Sequence, residues 1–177
     1  MRRLLFLFVL TLPIWQAQSV MAQSATGTSE NSIDSPSVTR STHDDWQSLC
    51  VLREGKTTCE VSQTLQIDKD GQVSFAMRIT LSKQADKVLM EVALPLGLDL
   101  PAGIALQVDE SNEINIPFAT CIAQGCAAVV MAEEEFLNQL RKGATLKVAF
   151  RPFSQAQSVL LNTSLRGFTS AMQVLTD

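Results

Sequence analysis

Four cysteines are the residues of this chain whose type and spacing could most readily do chemistry. They fall as two close pairs, Cys50 with Cys59 and Cys121 with Cys126. A zinc site would need thiolates at C-x₂₋₄-C spacing twice over, and a thioredoxin-type redox site would need C-x-x-C at the start of a helix. The two pairs do not meet either requirement. We therefore predict disulfides rather than a metal or redox centre.

The connectivity of these cysteines has three possible forms, and the sequence alone does not choose among them. We favour the two local bridges. The polar, glycine-containing residues 53–56 lie between Cys50 and Cys59, as in the turn of a hairpin. Gly125 precedes Cys126 and can take the positive φ that a tight cross-linked loop often needs. In the chain-entropy model, loops this short stabilise a fold by about 2–3 kcal/mol each.

Other groups that could act in catalysis are few. His43 is the only histidine, and it falls at the edge of a polar segment where we expect it to be exposed and without fixed neighbours. Paired carboxylates occur at Asp109-Glu110 and at residues 133–135, but adjacent acids on a turn or at a helix start are usually solvated. Nucleophile-elbow, phosphate-loop and calcium-loop patterns are missing from the sequence. We predict no enzyme activity, no catalytic residues, no cofactor and no metal.

The N-terminus has the pattern of a secretory signal peptide. Arg2 and Arg3 precede an apolar run at residues 4–15, and small or modest side chains lead up to Ala22. An uncleaved membrane anchor is the rival interpretation. The run is shorter than the roughly 20 residues that span a bilayer, and a proline interrupts it. We therefore expect residues 1–22 to be removed by cleavage between Ala22 and Gln23, and a periplasmic, outer-membrane or cell-surface location.

The remaining chain is acidic and divides into two parts. The full sequence has 14 basic and 18 acidic side chains, and loss of residues 1–22 leaves 12 against 18, a net charge of −6. Such a chain has no electrostatic reason to bind nucleic acid or an anionic bilayer, and it has no further run of membrane-spanning length. Residues 23–43 are rich in Ser and Thr and predict a flexible linker. Residues 44–177 have the size of one domain.

Alternation of apolar and polar side chains is the main structural signal in this domain. It predicts an all-β fold, mainly an antiparallel β-sandwich or barrel-like, with one or two short helices near residues 133–143 and 169–175. The apolar members of the predicted strands are Val73, Phe75, Met77, Ile79 and Leu81; Val88, Met90, Val92 and Leu94; Ile104, Leu106 and Val108; Ile114, Ile116 and Phe118; Leu146, Val148 and Phe150; and Val159, Leu161 and Leu165.

Several short motifs, taken together in order, resemble the invasion-associated locus B family of exported proteobacterial proteins. They are Asp45-Trp46 before Cys50, Cys59-Glu60-Val61-Ser62-Gln63, Leu94-Pro95-Leu96-Gly97-Leu98, Leu100-Pro101-Ala102-Gly103-Ile104 with Val108-Asp109, Phe118 with Cys121, Gly125-Cys126-Ala127, and Ser164-Leu165-Arg166-Gly167-Phe168-Thr169. The likeness covers residues 44–175. Trp46 is expected to be a core anchor near the Cys50–Cys59 bridge, and Gly167 to let the chain turn into the last helix.

The resemblance implies a non-enzymatic protein of the cell envelope or surface, in some pathogens linked to host-cell association or invasion. Its partner would be a protein or another envelope component. The alternative is a periplasmic structural or stress-related protein that binds other envelope components. A hydrolase that uses Asp109 and residues 133–135 is a third, minor hypothesis.

Overall fold

The computed structural model describes residues 36–69 and 72–176, and within these ranges most residues lie in strands. The strands are β1 Ser37–His43, β2 Trp46–Arg53, β3 Lys56–Lys69, β4 Gln72–Gln84, β5 Lys87–Leu94, β6 Ile104–Val108, β7 Ile114–Ile116, β8 Phe118–Ile122, β9 Gly125–Ala132, β10 Thr145–Phe150 and β11 Val159–Ser164. The helices are α1 Glu134–Lys142 and α2 Phe168–Ala171, with 3₁₀ helices at Leu100–Ala102 and Met172–Leu175.

The strands form two sheets in which every paired neighbour is antiparallel. The larger sheet has the order β1-β2-β3-β4-β5-β9-β8, and the smaller has the order β11-β10-β6-β7. One buried cluster contains side chains of both sheets and of the C-terminal helices. The predicted fold class, an antiparallel all-β sandwich with short helices, is confirmed.

Period-two alternation places the predicted apolar side chains in this core. Met77, Ile79 and Leu81 of β4 are buried, and Met90, Val92 and Leu94 of β5 are buried beside them. From the smaller sheet, β6 and β10 contribute buried side chains at every second position. Because successive side chains of a strand point to opposite faces, each of these strands has one face on the core and one outside it.

The apolar run at residues 114–118 differs from its prediction as a single strand. Ile114 and Ile116 belong to β7 of the smaller sheet, whereas Phe118 begins β8 of the larger sheet. Pro117 lies between them and has no backbone N–H to donate to a ladder, so the pairing stops there and resumes in the other sheet.

The prediction of a flexible linker over residues 23–43 is wrong for residues 37–43. These residues form β1, which pairs with β2 along its whole length from Ser37 opposite Leu52 to His43 opposite Trp46. An edge strand needs only backbone hydrogen bonds from one neighbour, and Ser, Thr and Val side chains suit a largely exposed pleat. The predicted signal peptide, its cleavage between Ala22 and Gln23, and the first part of the linker lie outside the described residues.

The helices lie close to where the sequence predicts them. α1 begins after Glu133, buries Phe136, Leu137 and Leu140, and ends in Arg141 and Lys142. The predicted C-terminal helix is a short α2 followed directly by the 3₁₀ helix Met172–Leu175. Gly167 precedes α2 with φ of 85°, and a Cβ there would collide with the carbonyl oxygen of His43. This contact brings the end of β1 against the start of α2.

Candidate functional site

The four cysteines form two disulfides, Cys50–Cys59 and Cys121–Cys126, which are the two local pairings. Each bridge joins residues directly opposite one another in adjacent strands, β2 with β3 and β8 with β9. In the strand register, Cys59 lies level with Lys83 of β4 and Val88 of β5. Cys126 lies directly opposite Leu94 of β5. Since Val88 and Leu94 are near opposite ends of β5, the two disulfides brace opposite ends of the larger sheet.

The end near Cys50–Cys59 is rich in unpaired positive charge. Two turns meet there, β2–β3 and β4–β5, and we call residues 53–56 and 83–87 the cationic end. Its four basic side chains, Arg53, Lys56, Lys83 and Lys87, take part in none of the ion pairs between described residues, and neither do its two acids, Glu54 and Asp86. The cationic end therefore carries a net charge of two positive units.

A cleft opens beside the same disulfide. Its volume is about 980 Å³, and Cys50, Cys59, Val174 and Leu175 contribute to its lining together with polar side chains of β3 and β4. Leu175 is buried, and Cys59 and Val174 are partly buried and pack against the core. The β2–β3 hairpin thus forms one side of the cleft, and the 3₁₀ helix Met172–Leu175 forms another.

The opposite end is built by loops that hold each other in place. Pro152 makes an isolated antiparallel bridge with Leu98. The Phe153 N–H donates to the Gly97 carbonyl at 2.8 Å, and the Asp99 N–H donates to the Arg151 carbonyl at 2.9 Å. The Arg151 guanidinium also contacts the Asp99 carboxylate at 2.5 Å. These contacts hold the loop after β5 and the loop after β10 together as a short irregular ribbon.

Large apolar side chains are exposed on these loops and on the neighbouring β8–β9 turn. Leu96 is 56% exposed, Leu100 46%, Ile122 60% and Phe153 80%. The turn lies beside the end of β5, since a Cβ on Gly125 would collide with the Leu94 carbonyl oxygen. We call residues 95–103, 122–125 and 151–158 the apolar end. Its charged side chains are Asp99 and Arg151, which pair with each other.

Three of the carboxylates singled out in the sequence, Asp109, Glu110 and Glu134, have side-chain partners in the fold. Asp109 accepts hydrogen bonds from the backbone N–H groups of Ala144 and Thr145, at 3.0 and 2.9 Å. Glu110 pairs with Lys147 at 2.8 Å, and Glu134 pairs with Arg141 at 2.6 Å. Within residues 36–69 and 72–176, His, Cys, Asp and Glu side chains make no cluster of three or more that could hold a metal ion.

His43 is not the exposed, unpartnered side chain that the sequence predicts. It is half-buried at the end of β1, and its Nε2 lies 3.1 Å from Ser48 Oγ. A serine beside a histidine can be a nucleophile and its base. Here, however, Ser48 is only 3% exposed, which leaves a substrate no access to its hydroxyl. The pair ties β1 to β2. Sequence reasoning missed this contact because it placed His43 outside the domain.

Trp46 is the core anchor that the sequence predicts. It is fully buried, its ring centroid lies 5.0 Å from that of Phe168 in an edge-on arrangement, and its Nε1–H donates to the Ser164 carbonyl at 2.9 Å. Next to it, Arg166 contacts the Asp45 carboxylate at 3.1 Å. Hydrogen bonding from Ser164, followed by the hydrogen bond and charge of Arg166, lowers the pKa of Asp45 below its ordinary value.

Comparison with known proteins agrees with this architecture. The profile of the invasion associated locus B (IalB) protein family matches residues 46–176. An invasion protein B homologue of Brucella abortus (strain 2308) is 30% identical over 138 residues, which cover 77% of this chain and 78% of that protein. The invasion protein B of Bartonella bacilliformis is 25% identical over 184 residues, covering 99% of this chain and 98% of the relative.

A solved structure shows the same fold. The crystal structure of invasion associated protein B from Bartonella henselae superimposes with a TM-score of 0.69 at 25% identity, covering 78% of this chain and 95% of that one. The two proteins therefore share one class of antiparallel β fold. This chain belongs to the invasion associated locus B family. The relatives are named as invasion proteins rather than as enzymes.

Proposed function

We propose that the protein is exported, with cleavage between Ala22 and Gln23, and acts in the periplasm or at the outer membrane or cell surface. There it works as a non-enzymatic binding protein that contributes to host-cell association or invasion. The single observation that carries this proposal is family membership across residues 46–176, with relatives named invasion protein B. The leader-like residues 1–22 support export.

The chemistry of the described side chains supports binding rather than catalysis. The buried Ser48 beside His43, the backbone-bonded Asp109 and the ion-paired Glu110 and Glu134 all have structural partners. In the described part of the chain, no helix has the length and apolarity needed to cross a membrane. The exposed side chains of the domain are the groups that a partner would contact.

The apolar end is the part of that surface best suited to contact a protein. Isolated apolar side chains are normal on a surface, but several on adjacent segments mark interaction sites. Leu96, Leu100, Ile122 and Phe153 come from three neighbouring segments that a disulfide, a β-bridge and an ion pair hold rigid. The Asp99–Arg151 pair leaves this end without net charge. We assign it a protein partner whose contact surface is apolar and uncharged.

A deletion strain of the source bacterium tests the function. We expect the strain to associate with and invade host cells less than the parent, and wild-type protein to restore both. Leu96→Ser and Phe153→Ser should restore them poorly, because loss of a central apolar anchor weakens a protein contact by about tenfold or more. Leu52→Ser is the matched control, since Leu52 is 44% exposed in the β2–β3 hairpin.

The outcomes separate the possible roles. A deletion strain with unchanged adhesion, invasion and envelope integrity would contradict the proposal. A strain with normal host-cell association but a leaky or stress-sensitive envelope would favour the alternative, a periplasmic structural or stress-related protein. Crosslinking in living cells then identifies the compartment, because host-surface adducts support the first role and outer-membrane or periplasmic adducts support the second.

A further inference from the structure

The cleft beside Cys50–Cys59 combines an apolar lining with a positive rim. Its apolar lining consists of the disulfide together with Leu49, Val51, Ala85, Val174 and Leu175, and its basic residues are Lys56 and Lys83. The one acidic residue of the lining, Glu60, pairs with Arg78 at 3.2 Å. The residues that line the cleft therefore carry an excess of positive charge, although the adjoining turns also contain Glu54 and Asp86 and the whole chain carries a net charge of −4.

Size and charge together indicate the class of molecule that fits. Small-molecule sites have volumes of roughly 300–1,000 Å³ and combine apolar walls with a few polar groups that fix orientation. The cleft, at about 980 Å³, lies at the upper end of that range. An apolar chain would cover the disulfide and Val174, which are only partly buried, while an anionic head group would lie near the two lysines.

We propose that this cleft binds a single-chain anionic amphiphile, a molecule with one acyl chain and one anionic head group. Inorganic anions alone fit less well, because they leave the apolar lining uncovered. A flat bilayer surface would meet the rim but would not fill the cleft. This inference does not depend on the proposed role in host-cell association, since it concerns the cationic end and not the apolar end.

The test uses the exported protein purified with both disulfides formed and labelled with ¹⁵N. Dodecanoate is added below its micelle concentration, and amide chemical shifts are followed by NMR. We expect saturable changes in residues 49–51, 56–60, 82–85 and 174–175. Dodecyl maltoside, a neutral single-chain amphiphile, should bind more weakly, and inorganic phosphate should produce no saturable change at these residues.

Paired variants test the charge. Lys56→Gln with Lys83→Gln should weaken dodecanoate binding by about threefold to tenfold, because each partly exposed charge contact contributes modestly. Lys142→Gln removes one exposed, unpaired charge from the end of α1, outside the cleft, and should leave binding unchanged. Val174→Ser tests the apolar wall independently and should also weaken binding. The amide spectra of all variants report whether the fold is retained.

Three results with free dodecanoate would overturn the proposal. These are the absence of saturable dodecanoate binding, shift changes confined to residues outside the cleft, and equal weakening by Lys142→Gln and the double variant. Binding to phosphatidylglycerol vesicles without binding to free dodecanoate would also overturn it, in favour of a membrane surface. Loss of dodecanoate binding in the variants with normal host-cell association would support the cleft and leave the proposed function intact.

Discussion

At one end of the larger sheet a disulfide joins Cys50 and Cys59 beside lysine-bearing turns, whereas at the other a disulfide joins Cys121 and Cys126 beside exposed leucine, isoleucine and phenylalanine side chains. Both bridges link facing residues of an antiparallel strand pair close to its turn. Both ends are held by a disulfide of the same kind, but the exposed side chains around the two disulfides differ. The comparison indicates that the disulfides hold turns in place, while the side chains around them determine what each end can contact.

The turn glycines provide the largest expected difference between the two ends. Gly125→Ala should destabilise the protein by about 3 kcal/mol, because the new Cβ would collide with the Leu94 carbonyl oxygen in a backbone region unfavourable to L-residues. Gly55 also has positive φ, but nothing lies within 4 Å of an added Cβ. Gly55→Ala should therefore cost only about 1 kcal/mol. Urea unfolding measures both, and equal losses would contradict the difference.

Removal of each disulfide should have a similar effect on stability and a different effect on function. Replacing either cysteine pair with alanine should reduce the free energy of unfolding by about 2–3 kcal/mol. The Cys50–Cys59 loss should be slightly larger because its sequence separation is 9 rather than 5. Only the Cys121→Ala, Cys126→Ala variant should also reduce host-cell association, since it frees the turn carrying Ile122. An equal functional loss from both variants would contradict this assignment.

Breaking one of two ion pairs gives a smaller expected difference in stability. Asp99→Asn should destabilise the protein by about 1 kcal/mol, because Arg151 loses two contacts with a carboxylate that is 24% exposed. Glu60→Gln breaks the longer and more exposed pair with Arg78 and should cost about 0.5 kcal/mol or less. Thermal unfolding at low and high salt checks both values. A larger loss from Glu60→Gln than from Asp99→Asn would contradict this ranking of the two ion pairs.

Asp45 lies in the β1–β2 turn, outside both disulfide loops, and gives the smallest effect. Its folded pKa is below the ordinary carboxyl value, so its ionised form stabilises the fold above the unfolded pKa of about 4. That contribution is lost as the pH falls through the lowered folded value. The stability difference between wild type and Asp45→Asn should therefore be present at neutral pH and shrink in acid. A difference that grows in acid would contradict the direction of the shift.

The sequence predicts the parts of this fold that bury alternating side chains. Residues 77–81 of β4, together with β5, β6 and β10, bury apolar side chains at every second position in one core, and that pattern is local in the chain. β1 carries no such pattern, because an edge strand with exposed Ser and Thr side chains looks like a polar linker. The separation of residues 114–118 into β7 and β8 at Pro117 depends on which sheet each strand joins. Sheet membership is set by residues that are far apart in the sequence.

The two surfaces were beyond the reach of sequence reasoning for a similar physical reason. The apolar end joins residues about 55 positions apart, through the bridge between Leu98 and Pro152 and the hydrogen bond from Phe153 to Gly97. The cationic end joins two turns that are neighbours only through the β3–β4 register. Exposed leucines and lysines are common in any sequence, and they become informative only when folding places them together.

Site-specific photocrosslinking tests the central claim, that the apolar end is the contact surface. Benzoylphenylalanine is placed at position 153 in one strain and at position 52 in another, and each strain is irradiated while attached to host cells. We predict discrete adducts from position 153 that unlabelled wild-type protein suppresses, and few from position 52. Suppressible adducts from position 52 with none from position 153 would contradict the account.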